Sequence, residues 1–288
     1  MKSVVIIGPH GQLGTDLTKR FLNSGWSVIP ASHSEVAVED FGSIGAFIES
    51  KNPEVVINTA ALHQVAVCEK EVERSWKINA GGALNVARAC DAVGAKSVFI
   101  STDYVFNGEL PDYDSYNETS SVSPINVYGA SKAAAELATL STNENSLVVR
   151  ISSVFGAAGS SGKGGNFVET ILNKAKGGET LKVVDDMFMS PSYTVDIASK
   201  IDGLLNADAS GIFHGNNSGS VTWNGFAQEI LKLTGIDIQV EKTSTDWSVA
   251  PKRPRNSSMS TNSLTSIGVE QRSWKEALRA YLEEKKHL

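Results

Sequence analysis

Tyr128 and Lys132 stand four residues apart in the run Tyr128-Gly129-Ala130-Ser131-Lys132. On a helix that spacing puts a phenol and an ammonium on one face. At about 4–5 Å and an effective dielectric of about 20, the pair favours the phenolate by roughly 3–4 kcal/mol, which would draw a phenol from about 10 towards working pH. Such a group can donate a proton to a carbonyl oxygen while hydride arrives at the carbon. Upstream, Ser101-Thr102-Asp103 closes a β-branched run, so Thr102 offers a hydroxyl where that carbonyl would sit. A Tyr-x-x-x-Lys spacing alone occurs in many helices. Here a glycine-rich turn precedes both groups in the chain, and the order carries the information.

The turn is Gly8-Pro9-His10-Gly11-Gln12-Leu13-Gly14, between the first apolar run and the first helical pattern. Glycines three apart let the backbone turn tightly, approach a pyrophosphate and pack a helix on the sheet. The unpaired N–H groups of that helix then face the phosphates. Gly8, Gly11, Gln12, Leu13 and Gly14 are therefore expected to meet a dinucleotide. So are Ser32 after the second strand, Ala60 and Ala61 after the third, Asn79, Tyr128 and Lys132. An acid is expected about 20 residues beyond the turn for the ribose 2′-hydroxyl. The strand end reads Ser32-His33 instead, which leans the choice of cofactor, NADPH or NADH, slightly towards NADPH, with no arginine there to grip a 2′-phosphate. Asn79 reads equally as a proton relay to Lys132 and as an ordinary helix N-cap.

The elements that must position these groups alternate. Val4–Ile7, Ser27–Ala31, Val55–Asn58, Ser97–Ile100 and Leu147–Arg150 read as strands. Between them lie helical patterns: Leu13/Leu17/Phe21 ending at Gly25, Phe41/Ile44/Ile48 starting near Asp40, Ala80 to Cys90, and Tyr128 to Leu140. That alternation predicts an α/β chain, a Rossmann-type doubly wound parallel sheet to about residue 156. Gly156 to Gly165 reads as a mobile glycine-rich loop. Helices are expected at Phe167–Lys176, Thr194–Leu205 and Trp223–Leu233, with short strands at Leu181–Val184 and Ile212–His214. Ser273 and Glu276 form a capping box for a last helix with Trp274, Leu278 and Tyr281 as its buried stripe. These later segments predict a smaller mixed α/β lobe above the sheet, with a cleft between.

With 288 residues, net charge −6 and 41% hydrophobic residues, the chain has the balance of a globular protein and none of the basic excess of a nucleic-acid binder. The one basic stretch, Lys252-Arg253-Pro254-Arg255, suits a small anion. Cys68 and Cys90 read as reduced, buried thiols, and the five histidines show no ligand spacing, so no metal is assigned. There is no signal peptide pattern and no run of about 20 apolar residues, which points to a cytoplasmic protein.

Ser101-Thr102-Asp103-Tyr104-Val105-Phe106-Asn107-Gly108 and Ser123-Pro124-Ile125-Asn126-Val127-Tyr128-Gly129-Ala130-Ser131-Lys132 resemble the dTDP-4-dehydrorhamnose reductase family, extended short-chain dehydrogenases whose glycine turn has this G-x-x-G-x-x-G spacing. The resemblance continues through Gly165-Asn166-Phe167, Ser190-Pro191-Ser192-Tyr193, Gly211-Ile212-Phe213-His214 and Lys252-Arg253-Pro254. It implies reduction of the 4-keto group of a nucleotide-linked 6-deoxyhexose, in dTDP-rhamnose biosynthesis. By resemblance, Thr102 would hydrogen-bond the keto oxygen, Tyr128 protonate it, and Lys132 orient the ribose. Asp103 and Tyr104 would face the sugar, with Asn166, Phe167 and Arg253 nearer the diphosphate. A dinucleotide-binding domain would span 1–156 and a substrate-binding lobe mainly 157–288, some segments returning to the first; a homodimer is a further expectation. The family pattern is broken at Leu62 and Ala66, which replace a ring and a carboxylate, at Ser153, which replaces a tryptophan, and at Ala37-Val38 on the adenine side. Two other readings stay open on sequence: an epimerase or dehydratase that keeps its nicotinamide, and a non-catalytic partner resembling the regulatory subunit of methionine adenosyltransferase.

Overall fold

The run Val4-Val5-Ile6-Ile7 lies in the strand Ser3–Ile7, and its alternate side chains enter two different cores. The structure, a computed structural model, describes residues 2–159 and 165–288. Val4 and Ile6 pack with Leu17 and Phe21 of the helix Gln12–Asn23, and with Ile197 and Ile201 of the helix Thr194–Asn206. Val5 and Ile7 pack on the opposite face with Ile44 and Ile48 of Phe41–Lys51, and with Val86 and Cys90 of Gly82–Val93. A strand covered on both sides must be apolar at every position, and each such side chain contributes roughly 1.5–3 kcal/mol.

The central sheet has six parallel strands in the order Gly211–His214, Leu147–Ile151, Lys96–Thr102, Val55–Asn58, Ser3–Ile7, Ser27–Ala31. The strand order reverses between Ser3–Ile7 and Val55–Asn58, so the carboxyl ends there open a crevice suited to a ligand. Beyond residue 156 the chain returns to this sheet: Thr194–Asn206 covers one face and Gly211–His214 adds the edge strand. Half of the expected glycine-rich loop, 160–164, lies outside the described residues.

A second core, with Phe155, Ile171, Leu181, Phe226, Ile230 and Leu278 among its members, holds the lobe together. Its small sheets pair Leu181–Val184 with Val240–Thr243, and Phe188–Met189 with Val221–Thr222. The last helix, Trp274–Glu284, begins with the expected capping box: Ser273 and Glu276 each accept from the other's backbone N–H. Cys68 and Cys90 are free and buried. Among the described residues no helix is long and apolar enough to cross a membrane.

Candidate active site

The crevice at the strand ends is a cleft of about 920 Å³ between sheet and lobe. The glycine turn forms its floor. Gly8 has φ +79°, and a Cβ at Gly14 would stand 2.0 Å from the Gly8 carbonyl oxygen, so only glycine permits this close packing. Gly11 precedes the helix Gln12–Asn23 without any side-chain cap, leaving first-turn N–H groups to an anion. A dinucleotide pyrophosphate fits such a cradle. Gly8, Gly11, Gln12, Leu13, Gly14, Ala60 and Ala61 all line the cleft.

Thr102 is the last residue of the strand Lys96–Thr102, and its hydroxyl accepts from the Tyr104 backbone N–H at 3.2 Å. Tyr128 enters from the first turn of the helix Val127–Thr142. Asn126 caps that helix, accepting from Gly129 N at 2.8 Å, while its amide donates to the Lys252 carbonyl at 3.0 Å. Gly129 lets the helix approach the turn after Thr102; a Cβ there would lie 2.1 Å from the Tyr104 carbonyl oxygen. Lys132, one turn on, donates from Nζ to the Ile100 carbonyl at 2.6 Å and lies 3.9 Å from the centre of the Phe99 ring. Thr102, Tyr128 and Lys132 all line the cleft.

The electrostatics differ from the expectation of an ammonium lowering the phenol. Burial pushes the Tyr128 phenol up, with a hydrogen bond from Thr102 pulling the other way. Burial likewise brings Lys132 down to about 7, opposed by the Glu136 carboxylate. Both groups are dehydrated in one wall, and dehydration is the leading cause of both shifts.

Other expected contacts are spent elsewhere. Asp103 touches the cleft, but its carboxylate already accepts from Thr102 Oγ1 at 3.0 Å, Ser152 Oγ at 2.7 Å and Ser257 Oγ at 2.6 Å. It joins the sheet to two later segments rather than projecting at a sugar. Asn166 lines the cleft and also caps the helix Phe167–Lys176, accepting from Glu169 N at 3.1 Å, while its amide donates to the Gly156 carbonyl at 3.1 Å. Asn79 is neither a helix cap nor part of the cleft wall. It lies in a π-helical turn, Lys77–Gly81, where it accepts from Leu62 N at 2.8 Å and donates to the Leu62 carbonyl at 3.1 Å and to Ser131 Oγ at 3.0 Å. It thereby pins the loop after the third strand to the helix of Tyr128. Ser32 does not line the cleft either; its hydroxyl donates to Glu35 Oε2 at 2.6 Å.

Tyr104, Phe167 and Arg253 line the cleft as expected positions. Tyr104 stands edge-on to Tyr128 at 5.9 Å, and its hydroxyl accepts from Arg253 Nη1 at 3.4 Å. Phe167 meets Trp223 edge-to-face at 4.6 Å, and these two with Arg253 also line an adjoining hollow of about 520 Å³. Trp223, Phe226, His33, Glu39 and Arg74 are cleft residues that sequence reasoning missed, because nothing local tells which face of a short element meets the cleft. Leu62, Ala66 and Ser153, the departures from the family pattern, all lie in this wall.

The model for the RmlD substrate binding domain matches residues 1–287. The spore coat polysaccharide biosynthesis protein SpsK of Bacillus subtilis is 35% identical, covering 99% of this chain and 98% of its own. Among solved structures, a dTDP-4-dehydrorhamnose reductase from Clostridium acetobutylicum superposes with a TM-score of 0.92 at 35% identity, over 99% of each chain. The Bacillus anthracis dTDP-4-dehydrorhamnose reductase in complex with NADP gives 0.91 at 34% identity, over 99% of this chain and 100% of that one. Fold, cleft and whole-length similarity agree, and the chain belongs to the dTDP-4-dehydrorhamnose reductase family of extended short-chain dehydrogenases.

Proposed function

We propose that this protein is an NAD(P)H-dependent reductase of a nucleotide-linked 4-keto-6-deoxy sugar, the reaction of the dTDP-4-dehydrorhamnose reductases it resembles. The observation that carries the reading is that Thr102, Tyr128 and Lys132 line the same cleft as the glycine turn. Gly8, Gly11 and Gly14 hold the pyrophosphate, and Ala60 and Ala61 flank it. A dihydronicotinamide supplies the hydride when bound.

The chain's own groups handle the proton. Thr102, its hydroxyl turning from Asp103, donates to the keto oxygen, and Tyr128 donates to that oxygen as charge builds there. A phenol pushed up by burial stays protonated at neutral pH, the form an acid needs before the transfer. Lys132, anchored on the Ile100 carbonyl, orients the ribose. Tyr104, Phe167 and Arg253 receive the nucleotide sugar, the guanidinium facing its diphosphate. In this reading 1–156 is the dinucleotide-binding unit and 157–288 mainly the substrate lobe, in a cytoplasmic enzyme that works as a homodimer on a small molecule.

The test is loss of dihydronicotinamide absorbance with a nucleotide 4-keto-6-deoxy sugar. Tyr128→Phe is expected to lower turnover by about 10²–10⁴-fold while cofactor binding is nearly retained. Tight cofactor that is never consumed would instead indicate an epimerase, and unchanged turnover in the variant would remove Tyr128 from the chemistry.

A further inference from the structure

Tyr281, buried on the helix Trp274–Glu284, ends on a carboxylate. Burial opposes the charge of Glu169, but hydrogen bonds from Tyr281 and His287 leave its carboxyl below the usual range, so it is ionised at neutral pH. A carboxylate can only accept, and it therefore sets the direction of every hydrogen bond around it. The Tyr281 hydroxyl donates to Glu169 Oε1 at 2.6 Å, and its oxygen is left to accept from Asn166 Nδ2 at 3.0 Å. The same amide donates its other N–H to the Gly156 carbonyl at 3.1 Å, while Asn166 Oδ1 accepts from Glu169 N at 3.1 Å. From the far side, His287 Nε2 lies 3.0 and 3.2 Å from the two Glu169 oxygens, so this nitrogen carries a hydrogen and donates it. Lys286, at φ +58°, turns the chain back after the helix, and His287 N donates to the Leu282 carbonyl at 2.8 Å, which holds the imidazole over Glu169.

Asn166 joins two walls of the cleft. On one side is the strand Val154–Phe155, which precedes Gly156; on the other are Gly165, Asn166 and Phe167, at the start of the helix Phe167–Lys176. Both N–H groups of its amide are committed, one to Gly156 and one to Tyr281. We propose that Tyr281, aimed by Glu169 and His287, is a positioning residue of the substrate site: it fixes Asn166, and so sets the spacing between the strand Val154–Phe155 and Phe167, where the nucleotide sugar is received. That role presupposes the reductase reading above for the identity of the ligand. Without the hydroxyl a buried Asn166 N–H loses its acceptor, and the amide must shift to find another. The glycine turn, Thr102, Tyr128 and Lys132 stand on other elements. The effect therefore falls on binding of the nucleotide sugar and spares the chemical step.

Tyr281→Phe removes the hydroxyl and keeps the ring, which stands edge-on to Phe155 at 5.4 Å. His287→Ala removes the outer donor from a segment beyond the last helix, and His287→Gln gives Glu169 an N–H again. For wild type and each variant, dTDP binding is measured by calorimetry and NADPH binding by fluorescence titration. KM and kcat are measured with a nucleotide 4-keto-6-deoxy sugar. In Tyr281→Phe the dTDP Kd and the sugar KM are expected to rise about tenfold, with kcat and NADPH affinity within about twofold of wild type. His287→Ala should move the same two constants about threefold, and His287→Gln should restore them. A fall in kcat, or an equal loss of NADPH and dTDP binding, would mean that the hydrogen bonds only stabilise the lobe, and would overturn the proposal. So would dTDP and sugar constants that are unmoved in Tyr281→Phe or not restored in His287→Gln. Wild type that binds dTDP but consumes no cofactor would sink the reductase reading alone, since the dTDP constants still test Tyr281. Wild type that binds no dTDP would overturn both.

Discussion

At the scale of single residues the unusual group is the Lys132 amine. It is buried, it donates to the Ile100 carbonyl, and the Phe99 ring lies beneath it. Removing an ammonium from water penalises its charge, and Glu136 recovers only part of the loss, so the amine titrates at about 7 rather than near its ordinary value. If the ammonium is the form that holds the ribose, kcat/KM is full below that value and falls as pH rises through it. The free enzyme's titrations appear in kcat/KM, so the profile should decline with an apparent pKa near 7. Tyr128, pushed up by burial, adds no limb in that range. A flat kcat/KM profile between about pH 6 and about pH 9 would show that Lys132 either stays charged or is not needed. Lys132→Met should abolish the decline together with most of the activity.

At the scale of elements, the helix Val127–Thr142 is positioned by a missing side chain. Gly129 faces the carbonyl of Tyr104 so closely that any Cβ must move the helix or the turn after Thr102. Gly129→Ala should therefore cost roughly 1–3 kcal/mol of stability and lower turnover, because Tyr128 and Thr102 sit on the two segments forced apart. Thermal melts together with turnover test this; a variant of normal activity would mean that the contact does not set the geometry. The same element shows what was legible in sequence. Tyr128 and Lys132 share a face through local helical periodicity, and the glycine turn declares itself within seven residues, so both could be read from the chain alone. The strands could be read because burial on both faces leaves continuous apolar runs. Asn79, Asp103 and Asn166 could not, because their partners come from elsewhere. Asn79 answers to Leu62 and Ser131, Asp103 to Ser152 and Ser257, and Asn166 to Gly156 and Tyr281. A polar side chain near a site can serve ligand or scaffold, and only the fold decides.

At the scale of the whole molecule, the later half of the chain clasps the first. The edge strand Gly211–His214 ends on a fully buried histidine whose Nδ1 pairs with the Ser260 carbonyl at 2.9 Å. The segment around Ser260 also carries Ser257, which donates to Asp103 at the cleft, so sheet edge and site share one strap. Burial pushes His214 down to about 4; Glu118 pulls it up and Arg150 pushes it further down. In the unfolded chain an imidazole titrates near about 6.5. Between those two values the unfolded state binds the extra proton, so stability falls as pH drops through the window and is unaffected above it. Buried Asp103 and Asp16, whose carboxyls burial pushes up, work in the opposite sense, so wild type alone does not isolate the effect. The difference between wild type and His214→Asn does. Urea unfolding across the window should show wild type losing stability more steeply with acid, by at most one proton's worth, about 1.4 kcal/mol per pH unit. Parallel pH dependences would mean that His214 takes up its proton without leaving its place, and that acid reaches the strap by another route.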